Sequence, residues 1–177
     1  MTVEDIYAVK ITKQMIKEAQ IDADFLKVKI GHKTRSDNSK RDIIGSLAHQ
    51  AVEIAFQELN LPFKSSRKIK TIGGDNGDIF YDNNLIDVKG TASGKFDKWF
   101  YNKSFLVYTK EIDDIKSKGI TDFIFVYLDR EQMEAMIFGV ISFNDFMELS
   151  KPLKLNNDNL EIKAYQLTPF AKYIYRI

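Results

Sequence analysis

Cysteine is absent from this 177-residue chain, proline occurs three times and histidine twice. Without cysteine the protein forms no disulfide, holds no metal through thiolates and uses no thiol nucleophile. No apolar run approaches the roughly 20 residues that a membrane-spanning helix requires. The first residues, Met1–Asp5, lack the basic start and apolar stretch of a secretory signal peptide. These absences favour a cytoplasmic protein that does not associate with a membrane.

Two widespread catalytic patterns are missing as well. The chain contains no G-x-S-x-G elbow and no Walker phosphate-binding loop. The glycine-rich stretch Gly73–Gly77 precedes an apolar, strand-like run, so it indicates a turn and not a nucleotide cradle. With 26 basic and 25 acidic residues the net charge is +1, so overall charge gives no general argument for nucleic acid.

The most informative stretch of the sequence runs from Gly77 to Gly90. Two short apolar runs flank a polar turn at Asp82–Asn84, a pattern that predicts a β-hairpin. Asp78 opens the first strand, while Asp87 and Lys89 close the second and share one face of it. The hairpin brings the two carboxylates and the ammonium together. Such a group can hold Mg²⁺ and position water against a phosphodiester, whereas the alternative is an edge hairpin with solvated charges.

A helix upstream of the hairpin offers two more candidate ligands. Residues 41–59 carry apolar side chains at helical spacing. Gly45, His49 and Glu53 recur every four residues, so they form one line along the border of the apolar stripe. A lone histidine at such a border is usually structural, but in front of the acidic hairpin this one becomes a candidate for a functional site.

Together, in this order, the helix and the hairpin resemble the PD-(D/E)XK nuclease superfamily. Its signature is an aspartate on one strand and an acidic residue, any residue and a lysine on the next; Gly77 stands where the name has proline. The Gly-x-x-x-His-x-x-x-Glu helix is similar to the first motif of RecB-like nucleases, in which the glycine, here Gly45, allows the helix to approach the sheet. The next RecB-like motif, Gln-x-x-x-Tyr, is matched only in part, with Ser104 in the place of glutamine before Tyr108.

The resemblance implies an α/β, restriction-endonuclease-like core with a mixed central sheet flanked by helices. It also implies hydrolysis of DNA phosphodiester bonds with Mg²⁺ or Mn²⁺, without a covalent intermediate and leaving a 5′-phosphate. The implied catalytic residues are Asp78, Asp87 and Lys89. The implied metal ligands are Asp78, Asp87, the carbonyl of Val88, and His49 or Glu53. Asp75 is a rival of Asp78 for the first carboxylate, less favoured because it does not open a strand.

Basic residues cluster before and after the hairpin, and a phosphate backbone needs several such contacts. The candidates for nucleic-acid binding are Lys33, Arg35, Lys64, Arg67, Lys68, Lys95 and Lys98. A solvated surface is the alternative for these charges. Three adjacent aromatic residues, Trp99–Tyr101, fit the core or a homodimer interface, with base stacking as the less favoured reading.

The length suits one nuclease domain over residues 1–177, in three parts. These are an N-terminal helix and basic loop over 1–40, a catalytic core over 41–141 and a C-terminal extension over 142–177. Patterning predicts helices from Thr2 to about Ala19, over 41–59, over 110–118 and over 142–149. It predicts strands near 68–72, 78–82, 84–89, 104–108, 122–128, 136–141 and 160–167, with loops at 90–98, 151–152 and 156–159. Thr168–Pro169 begins either a terminal helix or an extended tail.

We expect from this sequence a metal-dependent deoxyribonuclease acting in DNA repair, recombination, restriction or phage replication. A catalytically silent nucleic-acid-binding module of the same fold is the alternative. The intact Asp78, Asp87 and Lys89 argue against that alternative, since a binding module does not need all three. A third reading is an α/β interaction protein in which the motif occurs by chance.

Overall fold

The computed structural model describes residues 5–29, 38–66, 78–93, 102–153 and 156–175. Over these ranges the chain is a mixed α/β fold. The helices are α1 (Lys13–Lys29), α2 (Asn38–Glu58), α3 (Ile112–Ser117), α4 (Phe143–Leu149) and α5 (Phe170–Ile174). The strands are β1 (Tyr7–Lys10), β2 (Lys64–Ser65), β3 (Ile79–Tyr81), β4 (Asn84–Ser93), β5 (Ser104–Tyr108), β6 (Asp122–Asp129), β7 (Glu134–Ser142), β8 (Lys151–Leu153), β9 (Asn156–Lys163) and β10 (Thr168–Pro169). Short 3-10 turns cover Thr109–Glu111 and Ala164–Gln166.

The described strands form two sheets. The larger sheet has the order β1-β7-β6-β4-β3-β2, with β10 also paired to β7. Its strands are antiparallel except for β4 and β6, which run parallel. The smaller sheet, β5-β9-β8, is antiparallel throughout. The central sheet is therefore mixed and flanked by helices, which is the coarse architecture expected from the sequence.

Strand β6 separates two hydrophobic cores. Ile124, Val126 and Leu128 face a first core shared with α2 and α5, whereas Phe123, Phe125 and Tyr127 face a second core shared with β5, β9 and α4. All eight residues of this strand are buried. A strand covered on both faces needs apolar side chains at successive positions, which explains the continuous apolar run in the sequence.

Helix α2 packs against β4 through small side chains. Ala48, Ala51 and Ala55 are fully buried. The helix ends in a left-handed residue, Asn60 (φ 55°), and the N–H of Leu61 bonds the carbonyl of Phe56 at 2.9 Å. This is a Schellman-type end, which asparagine tolerates better than most residues.

The close approach of α2 to the sheet depends on a glycine of the strand, not on the glycine of the helix. A Cβ added at Gly90 would lie 2.8 Å from the Cβ of Ala48 and 2.9 Å from the carbonyl oxygen of Ile44. A Cβ added at Gly45 would meet nothing within 4 Å. The expectation that Gly45 allows the approach is therefore wrong, and Gly90 has that role.

The predicted hairpin at 78–89 is confirmed, with a tighter turn than expected. Asp82 (φ 47°) and Asn83 (φ 63°) form a two-residue turn, and Asn84 already belongs to β4, opposite Tyr81. Positive φ at both positions is the geometry of the type I′ turn, whose twist suits a hairpin.

The first predicted helix, Thr2 to about Ala19, is wrong over residues 7–10. These residues form β1, which pairs with β7 through Tyr7 opposite Ile137. The apolar residues Tyr7, Val9 and Ile11 also fit a period of two, and the pairing with a distant strand decides between the two patterns. The helix begins after Thr12, whose hydroxyl accepts the N–H of Met15 at 3.2 Å, and it continues to Lys29.

Most of the other predicted elements are confirmed, with shifted ends. Ser142 caps α4, since its hydroxyl accepts the N–H of Asp145 at 3.0 Å. The loop predicted from Gly90 is strand as far as Ser93, and the loops predicted at 151–152 and 156–159 are wrong, because both segments pair in the smaller sheet. The strand predicted over 160–167 ends at Lys163, and a terminal helix, α5, follows Pro169. The strand predicted near 68–72 lies outside the described residues.

No helix among the described residues combines the length and the apolar character needed to cross a membrane.

Candidate functional site

Asp78 lies directly before β3, between β2 and β4 of the large sheet. Its backbone N–H donates to the carbonyl of Ile86 at 2.8 Å, so the residue continues the pairing of β3 with β4. Its carboxylate Oδ2 accepts the backbone N–H of Val88 at 2.6 Å. The carboxylate thereby accepts a backbone hydrogen bond of β4 in the way that a neighbouring strand would. This bond holds the side chain in a fixed position beside β4.

Helix α2 brings His49 and Glu53 to this carboxylate. The Nδ1 atom of His49 lies 3.5 Å from Oδ1 of Asp78, and its Nε2 atom lies 3.2 Å from the hydroxyl of Ser65 and 3.9 Å from Oε1 of Glu53. His49 and Glu53 are 6% and 8% exposed. The structure therefore brings His49, Glu53 and Asp78 to one place, and their role as metal ligands stays a prediction.

Asp87 and Lys89 lie on β4, the strand that pairs with β3 after Asp78. Both side chains are on the face of β4 that points away from α2. Ile86 and Val88, which alternate with them, are buried in the first core beneath α2. The Nζ atom of Lys89 lies 2.9 Å from Oδ2 of Asp87. Backbone pairing of Asp78 with Ile86 puts the predicted carboxylates on adjoining strands, with the ammonium next to them.

A further carboxylate contacts Lys89, and it was not predicted. Glu111, in the 3-10 turn before α3, lies 3.2 Å from Nζ of Lys89 through Oε2. In sequence Glu111 opens an acidic run, Glu111–Asp114, well after the motif. Its position beside Lys89 follows from the path of the preceding strand, β5, which pairs with β9 in the smaller sheet. The one signal in the sequence is that Glu111 is an acidic residue 22 positions after Lys89.

The two carboxylates control the charge of Lys89. Partial burial of the ammonium works to lower its pKa, but the charges of Asp87 and Glu111, with hydrogen bonds to both, outweigh burial and raise the pKa above the ordinary lysine value. Lys89 therefore stays protonated across the physiological range. Its ion pairs contribute stability in full below the ordinary pKa of 10.5, and that contribution is lost as pH rises through the raised folded value.

We expect Glu111→Gln to lower the pKa of Lys89, because one of the two charges that oppose burial is removed. The measurement is an NMR titration of the Lys89 side chain with labelled lysine. Asp113→Asn, an exposed change two residues away, is the control and is expected to leave the titration unchanged. Equal titration in the Glu111→Gln variant and the wild type would show that Glu111 does not act on Lys89.

The donor types at this site fit Mg²⁺ or Mn²⁺, although a closed set of ligands is not assembled. Three carboxylates (Glu53, Asp78 and Asp87), one imidazole and the carbonyl of Val88 are groups that these ions accept. Among the residues that the structure describes, no three His, Asp or Glu side chains already converge closely enough to hold a metal ion. Asp87 is paired with Lys89 instead, so it would have to exchange that ion pair for the metal.

Of the predicted basic contacts, Lys64 can be located. It is exposed on β2, opposite Phe80, and its neighbour Ser65 contacts His49. The other predicted contacts lie outside the described residues: Lys33, Arg35, Arg67, Lys68, Lys95 and Lys98. Asp75 and Trp99–Tyr101 lie outside them as well.

Comparison with known proteins adds no relative from which a function could be transferred. No protein-family model, curated protein or solved structure matches this chain. Function is therefore inferred from the geometry and chemistry of the chain's own residues.

Proposed function

We propose that the chain is a metal-dependent nuclease that hydrolyses DNA phosphodiester bonds, acting in repair, recombination, restriction or phage replication. The observation that carries the proposal is the meeting of three separate segments at one end of β3 and β4. His49 from α2 lies 3.5 Å from Asp78, and Asp78 bonds the backbone beside Asp87 and Lys89. A surface hairpin with solvated charges has no reason to bring a buried histidine to its first aspartate.

The order and direction of the elements also support the proposal. Helix α2 is followed by the antiparallel strands β2, β3 and β4, then by α3, and then by β6, which runs parallel to β4. The restriction-endonuclease-like core implied by the resemblance has a helix, a three-stranded meander, a helix and a strand. We propose that the chain has this core, with β5, β8 and β9 added as a second sheet.

The charge of the site favours a cation. Glu53, Asp78, Asp87 and Glu111 supply four carboxylates, and Lys89 supplies one ammonium. The side chains of Glu53, Asp78 and Asp87 are 10%, 19% and 14% exposed. Carboxylates that are partly removed from water are stabilised by a bound positive ion.

Each residue of the site has a role in this reaction. A divalent ion, when bound, would polarise the phosphate and lower the pKa of a water. Asp78, Asp87 and the Val88 carbonyl would hold that ion, with His49 or Glu53 beside them. Lys89, kept protonated by its two carboxylates, would stabilise negative charge on the phosphoryl oxygens. The hydrogen bond from Val88 fixes the direction of the Asp78 carboxylate before substrate arrives.

We expect the purified chain to cut DNA only with a divalent ion present. The assay incubates supercoiled, linear, single-stranded and branched DNA with Mg²⁺, Mn²⁺, Ca²⁺ or EDTA. Products with a 5′-phosphate, formed in Mg²⁺ or Mn²⁺ and absent in EDTA, are the expected result. Binding of DNA without cleavage in any of these ions would instead support the catalytically silent module.

The same assay separates the two helical candidates. Imidazole suits Mn²⁺, and carboxylate suits the harder Mg²⁺. His49→Ala is therefore expected to lower cleavage in Mn²⁺ more than cleavage in Mg²⁺, and Glu53→Gln is expected to do the reverse. Equal loss in both ions for both variants would mean that neither side chain selects the metal.

A further inference from the structure

Two exposed cations are held on one aromatic ring near the proposed site. The guanidinium carbon of Arg41, in the first turns of α2, lies 5.5 Å from the centre of the Tyr108 ring. The ammonium of Lys110, in the 3-10 turn after β5, lies 5.4 Å from the same centre. Both cations are exposed, and Tyr108 is half-buried. Contacts of this kind hold a cation over an aromatic face.

This group lies directly beside the carboxylate cluster. Lys110 precedes Glu111, whose carboxylate contacts Lys89. Arg41 lies one helical turn before Ile44, and the carbonyl oxygen of Ile44 faces Gly90, the residue after Lys89. The two cations therefore meet at the Tyr108 ring, close in the chain to residues that contact Lys89 and Gly90.

These two cations differ from the basic residues whose charge a neighbouring carboxylate neutralises. Lys10, Lys89, Lys118 and Lys163 each form an ion pair with a carboxylate. Within the described ranges, neither Arg41 nor Lys110 does so. Two cations held close together without a carboxylate between them attract an anion that carries repeated charges.

We infer that Arg41, Tyr108 and Lys110 form a clamp for the phosphates of the DNA strand next to the phosphodiester that is cut. This inference rests on the proposed nuclease function and adds residues to it. Arginine and lysine bind phosphate oxygens, and Tyr108 acts as a positioning residue that keeps both long side chains in place. Fixing them in advance reduces the rotamer entropy that phosphate binding would otherwise cost.

The test is a salt titration of binding, in Ca²⁺, to a fluorescein-labelled DNA duplex and to its single strand. Each phosphate contact contributes about −0.9 to the log–log slope for duplex and about −0.7 for single strand. Arg41→Ala and Lys110→Ala are each expected to flatten the slope by about one such contact and to weaken binding about tenfold at low salt. Lys10→Ala, which removes an exposed lysine on the far edge of the sheet, is the matched control and should change neither quantity.

The role of Tyr108 has its own pair of variants. Tyr108→Leu keeps apolar bulk but removes the ring, so it should weaken binding several-fold while the slope stays near that of the wild type. Tyr108→Phe keeps the ring and should restore wild-type affinity. Equal loss in both variants would mean that the ring does not position the cations.

The outcomes for the clamp and for the nuclease can be told apart. If Arg41→Ala and Lys110→Ala leave the slope unchanged, or if the wild type does not bind DNA, the clamp is wrong. If Asp87→Asn abolishes metal-dependent cleavage and the clamp variants do not affect it, the nuclease proposal is supported and the clamp proposal is contradicted. If the clamp variants flatten the salt-dependence slope but the wild-type protein cuts no DNA, the clamp proposal is supported and the nuclease proposal is contradicted.

Discussion

Asp87→Asn is expected to reduce DNA cleavage by about 10³-fold or more, because it removes a carboxylate that would bind the metal in the proposed site. Electrostatic stabilisation by a bound ion amounts to several kcal/mol, and each 1.36 kcal/mol corresponds to a tenfold change in rate. Asparagine has nearly the same shape, so the hairpin should persist. The measurement is a single-turnover cleavage rate in Mg²⁺, with thermal unfolding as the check on folding.

The control for this change is Asp113→Asn, which makes the same chemical substitution at an exposed position of α3, away from the cluster. It should leave the rate unchanged. Cleavage at the wild-type rate in a folded Asp87→Asn protein would contradict the assignment of the site. Should Asp87→Asn fail to fold, Lys89→Met supplies the same test, since it removes the ammonium and retains the aliphatic chain.

Gly90→Ala is expected to destabilise the protein by about 1–3 kcal/mol, the usual cost of overpacking a tight interior. The added methyl group would lie 2.9 Å from the carbonyl oxygen of Ile44, a backbone atom that can move only with the helix. Moving α2 away from β4 would also move His49 away from Asp78, so cleavage should fall with stability. Urea unfolding measures the first effect and the cleavage rate the second.

Gly45→Ala is the matched control for Gly90→Ala. Its added methyl group meets nothing within 4 Å, and alanine favours a helix over glycine by about 1 kcal/mol. This variant should therefore be as stable as the wild type or more stable. If Gly90→Ala and Gly45→Ala unfold at the same urea concentration, the close packing of α2 on β4 does not depend on Gly90.

Local patterns in the sequence were sufficient wherever one segment determines its own structure. The hairpin at 78–89, the continuous apolar strand β6 and the cap of α4 at Ser142 each follow from neighbouring residues. The N-terminal strand β1 was missed because its apolar residues fit both a strand and a helix. Its partner, β7, lies far along the chain, and no local pattern records that pairing.

Contacts within the site divide in the same way. Asp87 and Lys89 are two residues apart on one strand, so their shared face follows from strand geometry alone. The contact of Lys89 with Glu111 depends on the path of β5 into a second sheet, which the sequence did not indicate. The role of allowing the helix to approach the sheet was given to Gly45 from a family pattern. The contacts that an added Cβ would make show that Gly90 has this role here.

The long-range pairing of the sheet has a consequence for protein synthesis. The carboxylate cluster and its lysine lie between His49 and Glu111, whereas β6 and β7, which hold β4 in the sheet, extend from Asp122 to Ser142. A nascent chain therefore carries every side chain of the cluster before the ribosome has made the strands that support it. Since distant pairings form late, the proposed nuclease would become active only after the chain as far as Ser142 has left the ribosome. Shorter nascent chains would carry the side chains of the site without the ability to cut DNA.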